Sequence, residues 1–481
     1  MLKTYNFKLN RTQSIILPFL LCVGVLLIGA SVIVEQLNTL LIFITLTGLG
    51  MWLCHRTCVE LGDPKLKILS TFWLLKVIIT LFLLYVAWIP RLDPSSIDWG
   101  YDPQRFYFDA RDLIENDWKP IAASTYQGII YYYGVIFFLF GHNPVIPALI
   151  NSFVTLIGVL FLVRCVFSFV KERSNKDWTI ALLLMLPELL WYDVMTSRET
   201  LMAVLIIFTN LSVGRYLVGV KNVSLVNTIL LACTTLFMIL AVRTSMAMTV
   251  VASIVCMMLL LPSENKKSTL TKVLLFFLAI IVMAAGPLIQ KLAGGGEIDY
   301  FSTLETLQAL DSSFSDQQVW SNNSLGLLLT PTNIWQTFLF LPARMVLYLV
   351  APLPNVSISA IELINGSWNE WQRLMTVSGS VLMLLGLPFA LASTLQVWRI
   401  RRYQPSPLVL HIAFWITFMA VAGGNIIVHE RYRIMFTMLL FACIWFGYTR
   451  SPRREVKRCA LYWFGMITTG GILYIGYKYL G

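Results

Sequence analysis

The sequence predicts an all-α, polytopic membrane protein of about 13 transmembrane helices, with juxtamembrane helices on the outer face. Three observations carry this. The 481 residues are 57% hydrophobic and only 13% charged, with a mean hydropathy of +0.73, whereas soluble domains carry roughly 25% charged residues. Apolar runs near the ~20 residues that cross a bilayer recur along the chain. The basic residues are also unevenly spread. With the N-terminus inside and the spans alternating, 23 of the 36 lysines and arginines fall on inner loops, 12 on outer ones, and Lys76 within a span. That asymmetry is the positive-inside bias. It accounts for the net charge of +11 with no nucleic acid as partner.

The expected spans are 14–34, 38–54, 67–90, 145–168, 178–193, 199–217, 224–242, 245–262, 272–291, 374–397, 407–427, 433–449 and 459–479. The first is read as uncleaved, because no small-residue cleavage site follows its apolar run. Two apolar segments break the alternation. Crossing at 126–140 would carry the basic loop 171–176 outside, so this stretch is expected to be interfacial or re-entrant. Crossing at 335–353 would do the same to Arg399, Arg401 and Arg402, and its prolines and Arg344 point to a broken or surface-lying element. The chain then reads as a single transmembrane domain, 1–481. Its two large outer segments are 91–144, the first outer loop, and 292–373. Gly294, Gly295 and Gly296 open the second as a hinge. The Cys54, His55 and Cys58 group lacks the second ligand pair of a zinc site, and the eight cysteines suggest no disulfide framework.

Into this apolar chain the stretch "IDWGYDPQRFYFDARDL" at 97–113 brings four aspartates and two arginines. Asp102 and Pro103 make a favoured helix start. Phe106, Ala110, Leu113, Ile114 and Trp118 then share one face, and Arg105 pairs with Asp109 at i, i+4. This is an amphipathic helix of the membrane surface. Asp102 either caps it or is a carboxylate presented for chemistry. Three further turns place charge on the same outer face. Asp193, Arg198 and Glu199 form one, with Glu188 about a turn and a half inside the span. Arg243 forms another. His429, Glu430, Arg431, Tyr432 and Arg433 form the third. Charge next to hydrocarbon is costly and tends to be paired or functional. An acid beside several arginines suits chemistry on an anionic lipid headgroup, because guanidinium forks match phosphate oxygens.

Four stretches also resemble the GT-C glycosyltransferases, especially the bacterial branch similar to protein O-mannosyltransferases (glycosyltransferase family 39) and the aminoarabinose transferase. They are "YDPQRFYFDARDL", "YYYGVIFFLFGHNPVIPALINSFVTLIGVLFLVR", "LPELLWYDVMTSRETLMAVLI" and "HERYRIMFTMLLFACIWFGY". Their order and spacing match over about 100–220 and 425–450. Pro103 stands where these enzymes often carry Glu, and Met435 and Phe436 where a proline is expected. There is no Asp-x-Asp or His-rich loop, so a divalent metal has no support and no other cofactor is called for.

The resemblance implies a glycosyltransferase in a bacterial cytoplasmic (inner) membrane, with a cytoplasmic N-terminus and an active site on the outer face. It would move sugar from a polyprenyl-phosphate donor to a glycan, lipid or protein acceptor, in keeping with cell-envelope polysaccharide chemistry. Asp102 would be the general base. Arg198, Arg243, Arg431 and Arg433 would hold the donor phosphate, with Arg344 a further candidate. Tyr107, Asp109, Glu188, Glu199, His429, Glu430 and Tyr432 would bind or orient substrate. The Tyr131–Tyr133 cluster could stack on sugar, although interfacial tyrosines ordinarily anchor a protein in the membrane. Three rival readings remain, one of them a non-catalytic scaffold. A lipid-linked polysaccharide polymerase or ligase would use Arg and His in a large outer loop, and 292–343 has neither. A lipid-linked oligosaccharide flippase or other transporter would place ionisable groups at mid-bilayer, where Lys76 is the main candidate.

Overall fold

The computed structural model describes residues 35–92, 102–119, 127–170, 174–220, 223–261, 334–350, 358–424 and 430–480. All regular structure among them is helical. Chain order gives α1 (Glu35–Leu61), the composite α2 (Pro64–Arg91), α3 (Asp102–Glu115), α4 (Gln127–Phe140) and α5 (Val145–Phe169). A 3-10 helix (Asp177–Met185) leads into α6 (Pro187–Val194). There follow α7 (Glu199–Leu217), α8 (Leu225–Val242), α9 (Thr244–Leu260), α10 (Ile334–Val350), α11 (Ala360–Ile364), α12 (Trp368–Ile400), α13 (Ser406–Gly424), α14 (Glu430–Arg450) and α15 (Arg453–Leu480).

Among the described residues eight helices are long and apolar enough to cross a membrane. They correspond to the expected spans 38–54, 67–90, 145–168, 199–217, 224–242, 374–397, 407–427 and 433–449. The spans 14–34 and 272–291 lie outside the described residues, as does most of the outer segment 292–373. The span 245–262 becomes the shorter α9, and 459–479 falls within α15, whose first turn is charged. The span 178–193 is not one continuous helix. Pro187 disfavours helical backbone at the preceding residue, and Leu186 is extended (φ −62°, ψ 123°). The segment therefore splits into a nine-residue 3-10 helix and an eight-residue α-helix. At rises of ~2.0 and ~1.5 Å per residue the two still reach about 30 Å. The expected break at 335–353 is also absent: α10 runs unbroken through Pro342 and packs on α12, α13 and α14, with Arg344 fully buried.

The core is built on α5, α7 and α14, which are mostly enclosed by their neighbours. α7 is buried on nearly every side, as befits a central helix. Small residues let the backbones close up. A methyl group at Gly158 would strike Val204, and one at Gly447 would strike the backbone of Phe389. The outside of the bundle is apolar too: Ile78, Leu230, Leu259, Phe338 and Leu385 are all more than half exposed. Large apolar side chains exposed on so many helices belong against lipid.

The two ends of the bundle differ in charge. One gathers basic residues of the expected inner loops. Arg164 meets Glu60 at 3.0 Å, Lys65 donates to Asn175 Oδ1 at 2.8 Å, Arg450 pairs with Asp177 at 2.9 Å and Arg399 pairs with Glu455. Asp102, Arg198, Arg243 and Arg431 lie at the other. There α3 forms at the expected residues but is not a one-sided surface helix. Pro103, Gln104, Tyr107, Phe108 and Asp109 are buried together with Phe106, Ala110 and Leu113. The cause is packing on several sides. α4 lies along it, Gln104 Nε2 donates to Arg91 O at 2.8 Å, and Thr196 Oγ1 donates to Pro103 O. Its C-terminal end turns through Asp117 and Trp118 with φ of 54° and 61°. That conformation is costly for a bulky residue, and Trp118 is held in it by Tyr131 and Phe138.

Candidate active site at the charged end of the bundle

Four segments, that of Asp102 included, meet here. Arg431, at the start of α14, places Nη1 2.8 Å from Asp102 Oδ2, and Arg198, just before α7, places Nη2 3.5 Å from the same oxygen. Arg198 Nε lies 3.6 Å from Glu199 Oε1. Arg431 Nη2 also donates to Tyr432 Oη at 2.8 Å. The Tyr432 ring carries two cations, with the guanidiniums of Arg243 and Arg431 at 4.5 and 4.8 Å from its centroid. Arg198 lies over Phe106 at 5.8 Å. Such contacts hold a guanidinium in place without neutralising it.

The local sequence explains each placement. Asp102 heads a helix whose following residues are clamped. Arg198 follows Met195, Thr196 and Ser197, which leave helical geometry between α6 and α7. Arg243 is the single residue linking α8 to α9 and is extended (φ −160°, ψ 95°). Gly128 of α4 sits so close to Ala241 that a methyl group would collide with its carbonyl. Arg431 and Tyr432 open α14.

Among the described residues three guanidiniums and two carboxylates, Asp102 and Glu199, make up the cluster. Burial lowers the pKa of Arg243, and the charges of Arg198 and Arg431 lower it further. The side chains of Asp102 and Arg431 keep 17% and 25% of their exposure, while Arg198 keeps 4%. The carboxylate and one guanidinium are thus reachable, and the deeper arginine is fixed. Such an arrangement can receive an anion on its arginines and a proton on its acid.

Other expected residues lie elsewhere. Arg433 is corrected. Two residues apart on a helix means about 200° of rotation, so Arg433 points away from Arg431 into the core. There it pairs with Glu188 and donates to Ser380 Oγ at 2.7 Å and Thr376 O at 2.6 Å. Glu188 is corrected with it: its carboxylate fills the space left by Gly379 and accepts from Thr437 at 3.3 Å. Tyr107 is also withdrawn from substrate. Its hydroxyl donates to His142 O at 2.5 Å and its ring packs on Phe108 and Phe137. Asp109 pairs with Arg105 at 3.3 Å as the spacing implied; burial raises its pKa and Arg105 opposes the rise. Tyr133 neither anchors nor stacks but is buried, donating to Ser197 O at 2.7 Å. Arg344 sits beside Tyr348 in the interior. His429 and the side chain of Glu430 lie outside the described residues.

Asp193, assigned to the polar turn by sequence, is instead sealed against Lys76 at 2.6 Å. The signal for that pairing was a lone lysine in the apolar run "LLKVI", whose need for a partner is strict at membrane depth. Asn151, in "ALINSF", went unnoticed for the same reason: it donates to Met195 O at 2.9 Å. Among the described residues no group of three or more His, Cys, Asp or Glu is placed to hold a metal ion. Compared with known proteins, the chain matches no family model, no curated protein and no solved structure.

Proposed function

We propose that the chain is a membrane glycosyltransferase of GT-C type, moving a sugar from a polyprenyl-phosphate donor to a glycan, lipid or protein acceptor. The observation that carries this reading is the Asp102 carboxylate held between Arg431 and Arg198, with Arg243 alongside on Tyr432. The donor's tail would lie against the apolar exterior and its phosphate on the clustered arginines. With it goes the finer layout of about 13 spans in a bacterial inner membrane, the N-terminus cytoplasmic and the Asp102 end of the bundle facing out.

In the reaction, the phosphate draws Arg431 away from Asp102 and frees the carboxylate. Asp102 takes the proton of the acceptor hydroxyl or amine. The acceptor atom bonds to the anomeric carbon as the bond from that carbon to the phosphate oxygen breaks. Its electron pair leaves with polyprenyl phosphate. A phosphodiester thereby becomes a phosphomonoester, and negative charge grows at the arginines as the transition state forms. Interactions that strengthen in that direction are those that speed chemistry.

The test is incubation of the purified protein with labelled polyprenyl-phosphate sugars and a panel of acceptors, measuring release of polyprenyl phosphate. Release that depends on Asp102 is expected. No release with any donor, from protein that is folded and lipid-embedded, would remove the reading.

A further inference from the structure

Among the described residues two ion pairs are sealed inside the bundle. Arg433 and Glu188 join α14 to α6 beside α12, whose Thr376, Gly379 and Ser380 they also meet. Lys76 and Asp193 do something different, because Asp193 lies in the last turn of α6, just before the chain leaves helical geometry. The strap from Met195 to Arg198 is then held from several sides. Thr155 Oγ1 of α5 donates to Asp193 Oδ1 at 2.7 Å, beside Lys76 Nζ of α2 at 2.6 Å from Oδ2. Asn151 Nδ2 of α5 donates to Met195 O at 2.9 Å, and Tyr133 Oη of α4 donates to Ser197 O at 2.7 Å. Ser197 Oγ reaches back to Tyr192 O at 3.1 Å. From this strap Thr196 Oγ1 donates to Pro103 O, and Arg198 meets Asp102. The strap therefore grips both the backbone and the carboxylate at the start of α3.

A buried ion pair is a poor source of stability, since apolar groups of similar volume often serve as well or better. Its directional value lies in fixing one geometry. We propose that Lys76 is a positioning residue: by holding Asp193 it fixes the 195–198 strap, and through the strap the meeting of Arg198 with Asp102. The claim about geometry stands on these contacts alone. Its consequence for donor phosphate rests on the function proposed above.

The test compares wild type with the double variant Lys76→Met/Asp193→Leu, in lipid nanodiscs. Hydrogen exchange should rise at least tenfold in peptides covering 195–199 and the start of α3, while the cores of α5, α7 and α14 keep wild-type protection. Affinity for polyprenyl phosphate, the probe, should fall at least tenfold. Wild-type exchange in the strap of the folded double variant would overturn the proposal. So would a uniform rise over all helices, which would make the pair a staple of the whole bundle. If the double variant does not fold, Lys76→Met/Asp193→Asn, which keeps the shape at 193, is read by the same criteria. Should wild type bind no polyprenyl phosphate, the proposed function fails, and the exchange comparison still decides the role of Lys76.

Discussion

Asp102 and Arg433 show how little of a residue's role is set by its type. Both are charged and both stand at the start of a helix. Asp102 remains partly exposed between two arginines, whereas Arg433 is enclosed by Glu188, Ser380 and Thr376. Two opposite predictions follow. Asp102→Asn should lower sugar transfer by about 10²–10⁴-fold, the range for a lost general base. It should also tighten polyprenyl phosphate binding, because the competing carboxylate on Arg431 and Arg198 is gone. Parallel assays of release and binding check both, and wild-type turnover would remove Asp102 as the base. Arg433→Met should instead cost about 3–5 kcal/mol of stability, because it leaves Glu188 charged and buried. Glu188→Leu/Arg433→Met should restore the melting temperature and keep transfer. An inactive but stable double variant would return Arg433 to the site.

Elements bring these residues together, and here the sequence was legible in part. Charged turns between apolar runs are visible without a structure, because hydrocarbon tolerates so few charges. Hence α7 begins and ends where expected, and Arg198, Arg243 and Arg431 were singled out. What could not be read was the rotation of each helix about its axis. That depends on which partners wait on each side, and so Arg431 could not be separated from Arg433, nor Asp193 joined to Lys76. The break at Leu186 could have been read from Pro187, but the compensating 3-10 stretch could not. Close backbone approach was equally hidden: Gly128 looks like any helix glycine, yet it seats α4 against Ala241, two residues from Arg243. Gly128→Val should therefore destabilise the fold by about 1–3 kcal/mol, the usual cost of overpacking. It should also weaken phosphate binding by displacing the α8–α9 link. Thermal unfolding and a binding assay test the two halves, and unchanged values in both would show that α4 does not set the position of Arg243.

At the scale of the molecule, the bundle sorts its charge. The end holding Arg164, Lys176, Arg399 and Arg450 neutralises several cations with Glu60, Asp177 and Glu455. Among the described residues the Asp102 end gathers Arg198, Arg243 and Arg431 around Asp102 and Glu199. In the proposed orientation, which follows the positive-inside bias, the first end is cytoplasmic. Cysteines placed at Ser174 and Ser451 should accordingly be labelled by impermeant thiol reagents only after the membrane is opened, while one at Asn116 should be labelled in intact cells. The reverse pattern would turn the site toward the cytoplasm and deny it an outer-face acceptor. Across all three scales the account depends on one arrangement: a carboxylate and three guanidiniums from four separate stretches sharing a single lipid phosphate. An experimental map of the protein with polyprenyl phosphate bound tests that most directly. The account predicts phosphate density within hydrogen-bond reach of Arg431 and Arg243, with Arg431 drawn off Asp102. Phosphate density only at the basic end, beside Arg453, Lys457 and Arg458, would contradict it.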